Sequence, residues 1–135
     1  MSATSTAAAE LVTPRLVLRP FRDDDAQPLF DIMGDAHAMR HTYVAPSLEH
    51  CRDRLRAYEA QRPRLGFAPW ALRLRMTGDL IGWGGLSLDP DEPEWGLEVS
   101  YALAPRAWGQ GYATELVQFS VAHAFAVLSA QEVHA

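Results

Sequence analysis

The 135-residue sequence contains no lysine, one cysteine and no long apolar run, and each absence excludes a class of protein. Without lysine there can be no Walker A phosphate loop, which ends in Gly-Lys-Ser/Thr. One cysteine cannot build a disulfide framework, so we expect a cytoplasmic protein. No apolar run approaches the roughly 18 residues that a membrane span requires. The net charge of -5 gives no basic excess for binding nucleic acid.

Apolar residues make up 48% of the sequence, which is enough for one buried core. A length of 135 residues predicts a single domain, which we place at residues 10–135. The first nine residues, "MSATSTAAA", lack the basic start and apolar centre of a signal peptide, so they predict a flexible tail. The negative net charge favours a cationic substrate and still permits a local anion site.

The apolar pattern predicts a strand, two helices, three strands, a helix, and a further strand that begins at Glu132. "TPRLVLRPF" predicts a half-buried strand, followed by a helix capped by Asp23 or Asp24. The second helix is expected after Ser47, with Cys51 facing inward. Short links favour antiparallel strands, and the later strand–helix–strand crossover favours a parallel pair. The predicted fold is therefore α/β, an α+β mixed and mostly antiparallel central sheet with flanking helices.

The stretch "PRAWGQGYATE", residues 105–115, places two glycines where the last helix is predicted to begin. The first N–H groups of a helix lack internal partners and lie at the positive end of its dipole. Because Gly109 and Gly111 have no Cβ, a diphosphate could approach the main chain there, with Arg106 as a cationic contact. The alternative is a simple tight turn, since Thr114 stands where the dinucleotide fingerprint needs a third glycine.

The pattern Arg106-x-x-Gly109-x-Gly111 resembles the coenzyme A loop of the GNAT N-acetyltransferase superfamily, which has the pattern Gln/Arg-x-x-Gly-x-Gly/Ala. "EVSYALAPRAWGQGYATE", "TPRLVLRPFRDDDA" and "LIGWGGL" are similar to its RimJ/RimL-like branch, over roughly residues 10–135. The resemblance implies a GNAT-like acyl-CoA N-acyltransferase fold. It also implies an acetyl-CoA-dependent enzyme in which a primary amine, at a protein N-terminus or on a small molecule, attacks the thioester directly in a ternary complex.

The same resemblance implies where acetyl-CoA binds. In the family the strand before the loop carries a bulge and diverges from its parallel neighbour, and the pantetheine arm lies in the opening. Carried onto this sequence, the cofactor-binding residues are Val99, Tyr101, Leu103, Arg106, Trp108, Gly109, Gln110, Gly111, Tyr112, Ala113 and Thr114. For the Tyr101 side chain we expect packing, and we expect no metal.

A base must take a proton from the attacking amine. Glu98 is the preferred candidate, because strand acids near this position serve as the base in parts of the family. Glu94, four residues earlier on the same strand face, is the weaker candidate, and each carboxylate could instead simply face solvent. Trp70, Trp83 and Trp95 could line an acceptor cleft, although large aromatics on strands more often pack in the core.

His37 and His41 have the i, i+4 spacing of a metal pair, but without a clear third ligand they predict a surface pair. The family usually continues past Glu132 with another helix and two strands, which often supply the general acid. We therefore expect a domain truncated at its C-terminal end and assign no acid.

Three alternatives remain open. The protein could be a non-catalytic acyl-CoA-binding module, a fragment that needs a partner chain, or a structural domain in which the two glycines only form a turn. An exposed apolar face on the helix predicted over residues 112–128 would favour a homodimer. The other expected partner is the amine acceptor, with neither nucleic acid nor membrane.

Overall fold

The computed structural model describes residues 10–39, 44–88 and 96–126, and in these ranges five strands form one sheet. The strands are β1 (Leu11–Val12), β2 (Leu16–Arg19), β3 (Trp70–Leu74), β4 (Leu80–Leu88) and β5 (Leu97–Leu103). Each strand pairs antiparallel with the next one in the sequence. The helices are α1 (Ala26–Met33), α2 (Leu48–Leu65) and α3 (Tyr112–Ala126). The predicted fold class is confirmed, and the short strand β1 is an element that the apolar pattern missed.

Several predictions concern residues outside the described ranges. They are the flexible tail of residues 1–9, His41, Glu94, Trp95, and the strand that begins at Glu132. The predicted parallel pair needs that last strand, so it also lies outside the described part of the chain. In the part that is described, no helix combines the length and apolar character needed to cross a membrane.

Apolar side chains cover both faces of the sheet. One cluster packs the sheet against α1 and α2 through residues that include Leu29, Met33, Cys51, Leu55 and Trp83. The other packs it against α3 through residues that include Leu16, Leu18, Trp70, Leu86 and Leu116. Trp70 and Trp83 are therefore core residues, as the more common role of strand aromatics predicts.

Helix α2 begins as predicted. Ser47 Oγ accepts a hydrogen bond from the His50 N–H at 3.0 Å and satisfies one of the free donors of the first turn. Cys51 is fully buried, and burial raises the pKa of its thiol. The helix is capped after Leu65 by Gly66, which has a φ of 85° and donates its N–H to the Arg62 carbonyl.

Two details of the first strand and helix differ from the prediction. In the strand expected to be half-buried, Arg19 alternates with Leu16 and Leu18 yet is also buried, because it forms a 3.0 Å ion pair with the buried carboxylate of Asp25. Asp25, not Asp23 or Asp24, stands at the start of α1, after a 3₁₀ turn over Asp23–Asp25. The turn directs Asp23 outward, where it pairs with Arg56 on the surface.

Helix α3 buries part of the face that was expected to be exposed. Its Leu116, Ser120 and Ala124 are fully buried, whereas Phe125 is 46% exposed. The homodimer stays a prediction.

Candidate functional site

The loop between β5 and α3 holds the two glycines in left-handed conformations. Gly109 has a φ of 75° and Gly111 a φ of 84°, values that residues with a Cβ rarely adopt. The Gly111 carbonyl accepts the first hydrogen bond of α3, from the Glu115 N–H at 3.0 Å. Gly111 is thus the N-cap residue, and the N–H groups that follow it have no acceptor inside the helix.

A cavity of about 610 Å³ lies between this loop, the end of β5 and the turn after α1. The predicted cofactor-binding residues that line it are Tyr101, Leu103, Trp108, Gly109, Gly111, Tyr112, Ala113 and Thr114. The residues in its lining that were not predicted are Ala38, Met39, Ala102 and Ala107. The cavity therefore joins an apolar wall to the polar N-terminus of α3.

The main chain of β5 presents hydrogen-bonding groups at this cavity. Ala104 donates its N–H to the Ile81 carbonyl of the β4 side at 2.7 Å. Main-chain groups alternate in direction along a strand. Those of Val99, Tyr101 and Leu103 therefore point away from β4, toward an edge with which no described strand pairs. This is the orientation that the predicted role of these three residues requires.

Part of that edge is already occupied. The Trp108 indole Nε1 donates to the outward carbonyl of Leu103 at 2.9 Å, which fixes the start of the glycine loop against the strand. The His37 ring lies against Trp108, with ring centroids 5.6 Å apart. His37 thereby brings the turn after α1 to the cavity.

The bulge expected in the strand before the loop is not present. Strands β4 and β5 pair without a register shift from Gly82 with Leu103 to Leu88 with Leu97, and the one shift in the described sheet lies between Leu72 and Arg73. Glycine explains the close pairing, since a Cβ on Gly82 would stand 2.1 Å from the Ala102 carbonyl oxygen.

The comparisons with known proteins decide the family. Residues 15–135 match the acetyltransferase (GNAT) domain family. The chain belongs to the GNAT acetyltransferase family. It is 25% identical over 127 residues to the uncharacterized N-acetyltransferase YoaA of Bacillus subtilis, covering 93% of this chain and 71% of that protein.

Solved GNAT structures share its fold. An acetyltransferase from Agrobacterium tumefaciens superposes with a TM-score of 0.79 at 24% identity, covering 98% of this chain and 76% of that chain. The ribosomal α-N-protein acetyltransferase RimL, solved in complex with coenzyme A, gives a TM-score of 0.65 at 18% identity. The match covers 84% of this chain and 66% of that chain. At these identities the likeness shows the fold alone.

The space beside Gly109 is open. A Cβ there would meet no atom within 4 Å, and Gly109 is one of the residues that line the cavity. Three or more His, Cys, Asp or Glu side chains that could hold a metal ion do not come together anywhere in the described ranges.

Some predicted residues are not in the cavity lining. Val99 is buried, and the exposed Arg106 donates to the Leu80 carbonyl at 2.8 Å rather than toward the cavity. Gln110 is exposed and donates to the Arg106 carbonyl. The expected packing of the Tyr101 side chain is wrong, because it is 48% exposed and faces the cavity across the sheet edge.

Glu98 lies on β5 opposite Ser87 and is half-buried. Alternation places it on the same sheet face as Ala102, the face that packs against α1 and α2. It lies three residues before Tyr101, roughly 10 Å along the strand, and it is not among the residues that line the cavity. Its role as the base remains a prediction.

Sequence reasoning missed a polar cluster behind the loop. Arg15 Nε donates to Glu115 Oε1 at 2.8 Å and Arg15 Nη1 donates to the Gln110 carbonyl at 2.8 Å. The Thr13 hydroxyl also donates to Glu115. Burial alone would raise the pKa of Glu115, but hydrogen bonds from Thr13 and Arg15 and the charge of Arg15 hold it below the ordinary value. The "TPRL" segment contains both donors, yet nothing local in it identifies partners 95 to 102 positions away.

Proposed function

We propose that this GNAT protein transfers the acetyl group of acetyl-CoA to a primary amine, on a protein N-terminus or a small molecule, in a ternary complex. The observation that carries the proposal is one cavity bounded both by the glycine loop and by the outward edge of β5. Family membership and the coenzyme A bound to RimL support the choice of carrier.

The loop and the strand edge would bind different parts of acetyl-CoA. The N–H groups from Gly109 to Thr114 would hold the diphosphate, since they are fixed before the ligand arrives and lie at the positive end of α3. The outward groups of Val99 and Tyr101 would hold the pantetheine arm. The arm would then run from the loop toward the N-terminal half of β5, where Glu98 lies.

In the reaction the amine nitrogen attacks the thioester carbonyl carbon. The C–N bond forms, the C–S bond breaks, the thiolate leaves, and the nitrogen loses a proton. Glu98 is the proposed base for that proton, acting through water. The amine approaches as a cation, which the net charge of -5 favours. A cytoplasmic location, with neither nucleic acid nor membrane as partner, belongs to the same proposal.

One observation favours a second candidate, a non-catalytic acyl-CoA-binding module. The described cavity lining contains no Asp, Glu or His side chain. If no base reaches the thioester, the protein would bind acyl-CoA without turnover.

The test is calorimetric binding of CoA followed by thiol release from acetyl-CoA with a panel of amines and N-terminal peptides. We expect micromolar or tighter CoA binding and thiol release with at least one amine. Glu98→Gln should lower kcat by roughly 10²-fold or more, the usual contribution of a general base, while CoA affinity stays the same. Glu49→Gln, an exposed carboxylate on α2, is the matched control. CoA binding with no thiol release from any acceptor would favour the binding module, and no CoA binding would reject both candidates.

A further inference from the structure

Arg15, just before β2, contacts the glycine loop at several points. Besides its bonds to Glu115 and the Gln110 carbonyl, its guanidinium carbon lies 4.5 Å from the centre of the Tyr112 ring. A Cβ on Gly111 would stand 3.2 Å from Arg15 Nη2, so the missing side chain allows this close approach. These contacts hold the guanidinium in one orientation against the loop.

The bond to Gln110 fixes the direction of the next N–H group. A trans peptide is planar, and its C=O and N–H point in opposite directions. Because Arg15 Nη1 holds the Gln110 carbonyl at 2.8 Å, the Gly111 N–H must point away from Arg15. Arg15 lines a second cavity of about 640 Å³ and is not part of the first, whereas Gly111 lines both. The Gly111 N–H is therefore directed away from the Arg15 side of the loop, which leaves it available to a diphosphate in the first cavity.

Arg15 also controls the charge next to that site. Glu115 lies in the first turn of α3, where an unpaired carboxylate would oppose the binding of a second anion. The ion pair at 2.8 Å and the Thr13 hydroxyl keep this carboxylate bonded on the side of the second cavity. The helix N-terminus is thereby left to an external anion.

We propose that Arg15 is a positioning residue for the phosphate loop, one that orients the Gly111 N–H and neutralises Glu115 without joining the chemistry. The inference rests on the proposed function, because it presupposes that the first cavity binds the diphosphate of CoA. The role proposed for Arg15 concerns only the diphosphate. It does not involve the β5 edge, which would bind the pantetheine arm.

The experiment compares acetyl-CoA with acetyl-pantetheine, which has the same arm and thioester but no diphosphate. Calorimetry measures the Kd of CoA. Thiol release with an accepted amine gives the KM of acetyl-CoA and the KM of acetyl-pantetheine. In Arg15→Met we expect the Kd of CoA to rise roughly 10- to 100-fold, the value of one hydrogen bond to a charged group. The KM of acetyl-pantetheine should change less than twofold. The Kd of CoA for Arg15→Lys should lie between the values for the wild type and Arg15→Met. A lysine ammonium cannot hydrogen-bond both Glu115 and the Gln110 carbonyl in the way that a planar guanidinium can.

Arg56→Gln is the matched control, because Arg56 forms an exposed ion pair with Asp23 outside both cavities. It should leave the CoA affinity unchanged. In ¹⁵N spectra, CoA should shift the Gly111 amide of the wild type, and the shift should shrink in Arg15→Met. If Arg15→Met does not fold, Arg15→Lys carries the same comparison.

Equal losses with CoA and acetyl-pantetheine would show a general structural role and overturn the proposal. Unchanged CoA affinity in a folded Arg15 variant would overturn it as well, while leaving acetyl-CoA as the substrate intact. If the wild type binds no CoA, the proposed function fails first, so the two failures are distinguishable.

Discussion

Gly109 and Gly78 form a matched pair that separates backbone strain from ligand binding. Both have left-handed φ angles, 75° and 79°, and a Cβ on either would meet no atom within 4 Å. Replacing either by Ala should therefore cost the same strain, about 1–2 kcal/mol of unfolding free energy. For a chain of this size that lowers Tm by roughly 3–10 °C.

Only Gly109 borders the cavity, so only its new methyl group would occupy the space beside the loop N–H groups. Since a hydrogen bond to a charged oxygen contributes about 1.5–3 kcal/mol, displacing one phosphate oxygen should weaken CoA binding tenfold or more. Gly78→Ala, in the turn between β3 and β4, should leave the Kd unchanged. The assays are thermal melting and calorimetric titration with CoA. Equal Tm losses together with an unchanged Kd in Gly109→Ala would refute a diphosphate on this main chain.

Other predictions test the fold. Asp25→Ala should cost about 3–5 kcal/mol in urea unfolding, because it leaves the buried Arg19 guanidinium without its ion-pair partner, whereas Asp23→Ala at the exposed pair should change little. Ser47→Ala should cost about 1 kcal/mol through loss of the α2 cap, and Ser47→Asp should restore most of it. Burial lowers the pKa of His123 below its ordinary 6.5, so the neutral form is favoured in the fold and stability should fall as pH drops below 6.5. His123→Phe should flatten that decline between pH 7.5 and 5.5, and identical slopes would contradict the assignment.

The sequence predicted local features well because each depends on a few neighbouring residues. Ser47 and the apolar spacing around Cys51 located α2. The two loop glycines marked the start of α3, since positive φ is a property of single residues. These signals were sufficient for the element order and for the position of the loop.

Features that depend on distant contacts could not be predicted in this way. Arg19 alternates with leucines and looks solvent-facing until folding brings it against Asp25. The expected bulge is absent from the pairing of β4 with β5, because register is a property of the strand pair rather than of either strand. Ala38 and Met39 carry no chemical signal, and they reach the cavity only through the turn after α1.

The glycine loop depends both on local sequence and on a distant contact. The anion binding proposed for it depends on local features, because two residues without Cβ precede a helix N-terminus. Its orientation is not local, since the Gln110 carbonyl is held by Arg15, 95 positions earlier. A fragment that retained only β5 and α3 would keep the motif and lose the bond between Arg15 and the Gln110 carbonyl. Under the proposal, the motif identifies where a diphosphate would bind, and the contact of Arg15 with the loop determines how well it would bind.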